Sequence, residues 1–168
     1  MNSANNSINN ATHFSGVGDF DFFIGNWQVK HRRLKERLAN CDEWLEFSGH
    51  TSVISILGGA GNMDDNLLDM PGGTYRAATL RSYDADKGIW SIWWLDGRYP
   101  THLDVPMQGR FENGTGEFYA DDTFAGQAIR VRFLWSIPSA DQPRWEQAFS
   151  VDGGITWETN WVMDFRRK

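Results

Sequence analysis

The sequence predicts an all-β protein, an antiparallel barrel of about nine to ten strands that follows a short N-terminal helical turn. Two patterns indicate it. Apolar and polar residues alternate along most segments after residue 19, and turn residues separate these segments at short intervals. No strand–helix–strand rhythm is present, so a parallel sheet is not expected. A closed barrel is favoured over an open sandwich because closure leaves no exposed strand edge.

The first elements lie between residues 20 and 42. Phenylalanines dominate residues 20–24, an apolar turn too short for an independent helix. The first strand begins near Asn26 and places Trp27, Val29 and His31 on one face. The alternation then ends, and residues 33–42 are predicted to form a helical turn or ordered loop over the open end of the barrel.

The remaining elements read as strands joined by turns. A long strand is expected over residues 42–57, and residues 60–74 are rich in Asp, Asn and Gly and read as a loop with at most a short edge strand. Asn113-Gly114 is the strongest short hairpin signal. The later strands are expected at residues 75–83, 89–95, 107–112, 116–124, 127–137, 144–151 and 155–165.

The last hairpin carries an Asp-box pattern, Ser-x-Asp-x-Gly-x-Thr-Trp, at residues 150–157. The pattern occurs once, so it indicates a way to build a hairpin and not a propeller. A three-residue loop would pair Trp145 with Trp161 and Gln147 with Thr159. We therefore expect these four side chains on the inner face, because a slip of one residue would place the tryptophans opposite polar residues.

Composition narrows the function classes. The net charge of −6 argues against a nucleic-acid partner, and no apolar run approaches the roughly 20 residues that a membrane helix needs. Residues 1–18, rich in Asn, Ser and Gly, read as a disordered leader before a single domain at residues 19–168. The single cysteine, Cys41, excludes an internal disulfide and fits a reducing compartment. A cytoplasmic location is expected.

The candidate binding residues are aromatic and polar side chains that should face the barrel interior or its mouth. The nine tryptophans and eleven phenylalanines exceed what packing requires, so part of them should line a pocket. Arg98 would hold an anionic ligand group, unless it pairs with Asp96 to fix the loop. The candidate ligand-binding residues are His31, Trp94, Asp96, Arg98, Trp145, Gln147, Thr159 and Trp161.

The favoured function is the binding of a small, largely apolar or aromatic molecule in the barrel cavity. One alternative is a cavity enzyme of isomerase, cyclase or hydratase type with His31 as acid–base group, together with Asp96. Another is a filled barrel that acts as a structural or homodimeric module. No cofactor is expected, although His31 could ligate haem. No zinc site is expected, because His50 and His102 have no metal-like spacing with His31 or with each other.

Several motifs together resemble an uncharacterised bacterial lipocalin-like (calycin) family of the DUF1579 type. This resemblance extends over nearly all of the chain after residue 18 and implies a calycin-like barrel, but no catalytic residue. The motifs are Phe20-Asp21-Phe22-Phe23-Ile24-Gly25-Asn26-Trp27, Tyr75-Arg76, Trp94-Leu95-Asp96, Gly109-Arg110-Phe111, Arg144-Trp145-Glu146-Gln147-Ala148-Phe149 and Thr156-Trp157-Glu158-Thr159-Asn160-Trp161.

Overall fold

A computed structural model describes residues 16–168. Over these residues the chain forms ten antiparallel strands, each paired with the next, and β1 closes the barrel on β10. The predicted all-β barrel and its N-terminal helical turn, the 3-10 turn Asp21–Phe23, are confirmed. The strands are β1 Gly25–Leu34, β2 Trp44–Ile56, β3 Gly61–Met70, β4 Gly73–Asp84, β5 Ile89–Asp96, β6 Met107–Glu112, β7 Thr115–Phe124, β8 Gln127–Ser136, β9 Arg144–Ser150 and β10 Glu158–Arg167.

Most of the predicted leader, residues 1–15, lies outside the described residues. Within residues 16–168, no helix has the length and apolar character to cross a membrane.

The N-terminal turn closes one end of the barrel. Phe20 and Phe23 are both 1% exposed, and Trp27 is completely buried. The Trp27 indole N–H donates to the carbonyl of Phe23 at 2.8 Å, which fixes the turn against β1. The Phe23 ring packs edge to face on Trp135, with centroids 4.9 Å apart at 65°, and stacks on Trp27 at 5.5 Å and 26°. This end is therefore solid, and the space inside the barrel lies beyond it.

Side chains alternate between the interior and the outer face, as the period of two predicts. In β1 the buried residues are Trp27, Val29 and His31. Strands β6 and β7 approach most closely at Gly109, where a Cβ atom would lie 1.8 Å from the carbonyl oxygen of Glu117. Only glycine fits there.

The structure corrects one predicted element and decides between the two alternatives for another. Residues 60–74 are mostly strand, since β3 spans Gly61–Met70, and its Asn62 and Asp64 side chains are buried inside the barrel. Residues 33–42 form the loop of the two predicted alternatives and not the helical turn: β1 continues to Leu34, and an irregular connection leads to β2. The backbone then takes positive φ angles of 56° at Leu38 and 52° at Asn40, which a right-handed helix does not allow.

The register predicted for the last hairpin is wrong. The structure pairs Gln147 with Trp161 and Ala148 with Thr159, and a β-bulge places Asn160 between these pairs. Asn160 is fully buried and its side-chain oxygen accepts a hydrogen bond from Gln147 Nε2 at 2.8 Å. The extra residue returns Trp161 to the interior and leaves Thr159 outside the lining of the cavity described below.

The Asp-box explains why the hairpin loop is longer than three residues. Ser150 Oγ accepts from the backbone N–H of Gly154 at 2.8 Å. Asp152 Oδ1 accepts from the N–H groups of Ile155 and Thr156 at 3.0 and 2.9 Å. These bonds hold the loop backbone away from the β9–β10 ladder, so pairing begins only at Glu158.

Candidate binding cavity

The barrel interior contains a cavity of about 250 Å³ between the closed end and the opposite loops. Phe23, Trp135 and Phe165 form its floor. Its middle is mainly aromatic and apolar, and its open end carries arginines and the loop that follows β5. The middle and the open end include Ile92, Phe133, Trp145, Gln147, Trp161, Met163, Arg33, Arg37, Tyr75, Trp94, Asp96, Arg98, Tyr99, His102 and Asp104.

Three tryptophans from different strands build the wall. The ring centroids of Trp145 and Trp161 lie 5.7 Å apart at 82°, and those of Trp161 and Trp94 lie 6.0 Å apart at 80°. Phe133 packs on Trp145 at 4.8 Å and 70°. Edge-to-face contacts of this kind stabilise aromatic clusters beyond their buried area. The wall is therefore held in place before any ligand arrives.

A buried ion pair lies near the floor. Arg81 Nη1 donates to Asp64 Oδ2 at 2.8 Å and to Asn62 Oδ1 at 2.9 Å. The Arg81 and Asp64 side chains are 5% and 1% exposed. Asp64 Oδ1 also accepts from the backbone N–H of Thr79 at 3.0 Å and from the Asn66 amide. A buried pair needs such additional bonds, because desolvating two charges costs several kcal/mol.

Two buried donors at the floor have no acceptor. Within residues 16–168, neither Arg81 Nε nor Trp135 Nε1 makes a hydrogen bond, although both atoms are inaccessible. Both residues line the cavity. Buried polar groups in native proteins almost always have a partner, either protein, water or ligand. Arg81 Nε and Trp135 Nε1 are therefore exceptions to this rule, and because both atoms are inaccessible they offer no hydrogen bond to a molecule in the cavity.

At the open end, Asp96 and Arg98 bind each other. Arg98 Nη2 lies 2.6 Å from Asp96 Oδ2, and the backbone N–H of Arg98 donates to Asp96 Oδ1 at 2.9 Å. The Arg98 guanidinium lies 3.7 Å from the centroid of the Tyr75 ring. Burial opposes ionisation of Asp96, but hydrogen bonds from Arg98 lower its pKa. The two residues thus form the ion pair that the sequence offered as the alternative to anion binding by Arg98, and this pair fixes the loop.

Arg33 and Arg37 are cavity residues that the sequence reasoning missed. The Arg33 guanidinium carbon lies 5.4 Å from the centroid of the Trp161 ring, and Arg33 Nη2 donates to Met70 Sδ at 3.4 Å. The Arg37 guanidinium lies 4.9 Å from the centroid of Phe124. The alternation of β1 could have predicted the position of Arg33. When it is continued two residues past His31, Arg33 faces the barrel interior.

His31 is in the barrel wall, but it does not line the cavity. Its Nδ1 accepts from the indole N–H of Trp161 at 3.3 Å, and its ring stacks on Phe47 with centroids 4.6 Å apart. Its Nε2 faces Gly49, where an added Cβ would approach within 2.6 Å. Burial, with the charge of Arg33, lowers the pKa of His31 to about 4.

This placement does not fit a haem ligand. An axial histidine must present one ring nitrogen to the iron, and here Trp161 occupies one nitrogen while the other packs against a strand.

The structure thus brings six of the eight predicted binding residues together and leaves His31 and Thr159 outside the lining. The six are Trp94, Asp96, Arg98, Trp145, Gln147 and Trp161. In the described part of the chain, no group of three or more His, Cys, Asp or Glu side chains could hold a metal ion.

Comparison with known structures supports the assignment of the fold. The chain is similar in structure to the S-type phycobiliprotein lyase CPES from Guillardia theta, with a TM-score of 0.61 and 10% sequence identity. The alignment covers 91% of this chain and 93% of the lyase. The fold is calycin-like. No family model and no curated protein matches the chain, so the DUF1579 resemblance is not confirmed.

Proposed function

We propose that this calycin-like barrel binds a small, largely apolar or aromatic molecule in its interior. The observation that carries the proposal is the cavity of about 250 Å³, whose wall is built from Trp94, Trp145 and Trp161. Burial of apolar ligand surface would supply about 25 cal/mol per Å², before the costs of ordering. We also propose, from the sequence motifs alone, that the chain is related to the DUF1579 type of lipocalin-like proteins.

The filled-barrel alternative is less well supported. Protein interiors are packed closely, with few voids larger than a water molecule. A barrel filled by its own tryptophans would not be expected to contain a cavity of about 250 Å³. The homodimer that this alternative included stays a prediction, which sedimentation equilibrium would test.

The enzyme alternative is also weaker in the form that uses His31 and Asp96. An acid–base group must come within hydrogen-bond reach of the proton that it moves. His31 does not line the cavity, and Asp96 is bound to Arg98. His102 and Asp104 do reach the lining, 3.7 Å apart, but their side chains are 75% and 47% exposed to solvent.

The structural neighbour supports the fold and not the ligand. Its name describes a lyase of phycobiliproteins, and at 10% identity the chemistry of that protein does not transfer. The ligand class proposed here is therefore taken from the cavity alone. The cytoplasmic location stays a prediction that depends on the free Cys41.

A fluorescence titration with N-phenyl-1-naphthylamine tests the proposal. This neutral aromatic probe brightens when it enters an apolar site. The wild type should show saturable binding of one probe per chain. Thr79 lines the cavity at 5% exposure, so Thr79→Phe should fill the space and remove binding. Thr74→Phe places the same ring on an exposed position of the same strand and is the control.

Absence of saturable binding in the wild type would overturn the proposal. So would equal binding by the Thr79→Phe and Thr74→Phe variants, because the probe would then lie outside the cavity. Circular dichroism would establish that both variants are folded.

A further inference from the structure

Two guanidinium groups lie at the open end of the cavity without a carboxylate partner. Arg33 ends the inward-facing row of β1, and Arg37 follows in the connection to β2. No acidic oxygen of residues 16–168 lies within 4.0 Å of either guanidinium, whereas Arg98 and Arg81 each have an aspartate. Arg33 Nε is buried and makes no hydrogen bond to any residue that the structure describes.

Three acidic side chains of this region make hydrogen bonds to groups other than Arg33 and Arg37. Asp96 binds Arg98 through both carboxylate oxygens. Glu158 accepts from the backbone N–H of Leu38 at 2.9 and 3.1 Å. Asp69 accepts from the hydroxyl groups of Ser48 and Thr74.

Placing these two cations at the open end of the cavity without an opposite charge from residues 16–168 within 4.0 Å is costly. Burial, and then the charge of Arg33, lower the pKa of Arg37, whereas Tyr75 and the charge of Glu158 act in the opposite direction without cancelling this effect. The guanidinium groups of Arg33 and Arg37 lie over the aromatic faces of Trp161 and Phe124, and these contacts offset part of this cost. A charge withdrawn from water is stabilised far better by an opposite charge.

We propose that the ligand is an amphipathic organic anion, with its oxyanion group between Arg33 and Arg37 and its apolar body against Trp145 and Trp161. This inference rests on the proposed function and adds the ligand's charge. A guanidinium presents several N–H donors in a planar fork, which suits a carboxylate or sulfonate group. Arg98, the residue expected from the sequence to bind the anion, is already neutralised by Asp96.

A purely structural role for the two arginines predicts a different behaviour. If Arg33 and Arg37 only pack against Trp161 and Phe124, their loss would change stability and affect neutral and anionic ligands alike. The two roles are therefore separated by charge selectivity, and not by the amount of binding.

Two probes with the same aromatic body provide this measurement. N-Phenyl-1-naphthylamine is neutral, and 8-anilinonaphthalene-1-sulfonate adds one sulfonate group to it. Titrations would be performed on the wild type and on the Arg33→Gln and Arg37→Gln variants. Arg110→Gln is the matched control, because it removes the same charge from an exposed position of β6.

The wild type should bind the sulfonate probe about tenfold more tightly than the neutral probe. Only the sulfonate group can form charge-assisted hydrogen bonds with Arg33 and Arg37. Arg33→Gln and Arg37→Gln should each remove most of this preference, because affinity for the sulfonate probe should fall several-fold more than affinity for the neutral probe. Arg110→Gln should retain the preference. The two probes should displace each other, which places them in one site.

Each other outcome overturns a defined part of the account. If the neutral probe binds and the wild type shows no preference for the sulfonate, the anion inference fails while the proposed function stands. An equal loss of preference in Arg110→Gln would assign the effect to net charge and would also overturn the inference. If neither probe binds the wild type, the proposed function itself fails.

Discussion

The indole N–H of Trp161 donates to Nδ1 of His31 at 3.3 Å, and this bond joins β10 in the cavity wall to the neighbouring strand β1. The same indole lines the cavity, 5.7 Å from the ring of Trp145. His31 therefore acts as the hydrogen-bond acceptor that orients a wall residue. That role requires the neutral imidazole, because a protonated ring has no acceptor.

The neutral state of His31 makes stability depend on pH. Its pKa is about 4 in the folded protein against 6.5 for the free side chain. Below pH 6.5 the unfolded chain binds a proton that the folded protein does not, so stability falls until about pH 4. The full loss is about 3 kcal/mol from the size of this pKa difference. Burial and Arg33 lower the pKa, and Asp69 opposes them.

Urea denaturation of the wild type and of His31→Gln at pH 7.5, 6 and 5 measures this effect. The advantage of the wild type should shrink as the pH falls, whereas exposed His50→Gln should follow the wild type at every pH. An advantage that does not change with pH would mean that His31 titrates normally. His31→Gln should weaken binding of the neutral probe only by changing the orientation of Trp161. A complete loss of binding would mean that His31 contacts the ligand directly.

Two buried tryptophans should respond differently to the same substitution. Trp27 donates to the carbonyl of Phe23 at 2.8 Å, whereas Trp135 Nε1 has no acceptor among the described residues. Both Trp→Phe variants lose similar volume, but only Trp27→Phe leaves a buried carbonyl unpaired. Trp27→Phe should cost about 1 kcal/mol or more beyond Trp135→Phe in the free energy of unfolding. Equal losses would show that the Trp135 N–H is satisfied in solution.

The buried pair of Arg81 and Asp64 should behave as a unit. Removing one partner, in Asp64→Leu or Arg81→Met, leaves an uncompensated buried charge and should cost about 3–5 kcal/mol. The double variant should be more stable than the sum of the two losses predicts, by at least about 1 kcal/mol. Additive losses in denaturant unfolding would mean that the two side chains do not interact in solution.

The sequence predicted the barrel well because alternation is a local signal. It missed β3 because Asp and Asn normally mark loops, and here Asn62 and Asp64 face inward to meet Arg81, which is distant in sequence. Such a pairing is visible only once β3 and β4 lie side by side.

Only part of the candidate site could be predicted, because alternation is local and the remaining residues depend on contacts between distant parts of the chain. Tryptophans at alternate positions indicated the wall, but the bulge at Asn160 shifted Thr159 out of it, and one extra residue in a strand leaves no clear trace in the sequence. Arg33 could have been found by continuing the alternation of β1. Arg37 could not, because its position depends on a connection with positive φ angles at Leu38 and Asn40.

Native mass spectrometry tests most directly whether the barrel interior is a binding site. The protein would be purified from its own host and measured before and after addition of 8-anilinonaphthalene-1-sulfonate, beside the Thr79→Phe variant. The account predicts one small molecule per chain, either co-purified or supplied by the probe, that is lost on denaturation and absent from Thr79→Phe. A ligand-free mass under both conditions, or equal probe binding by Thr79→Phe, would contradict it.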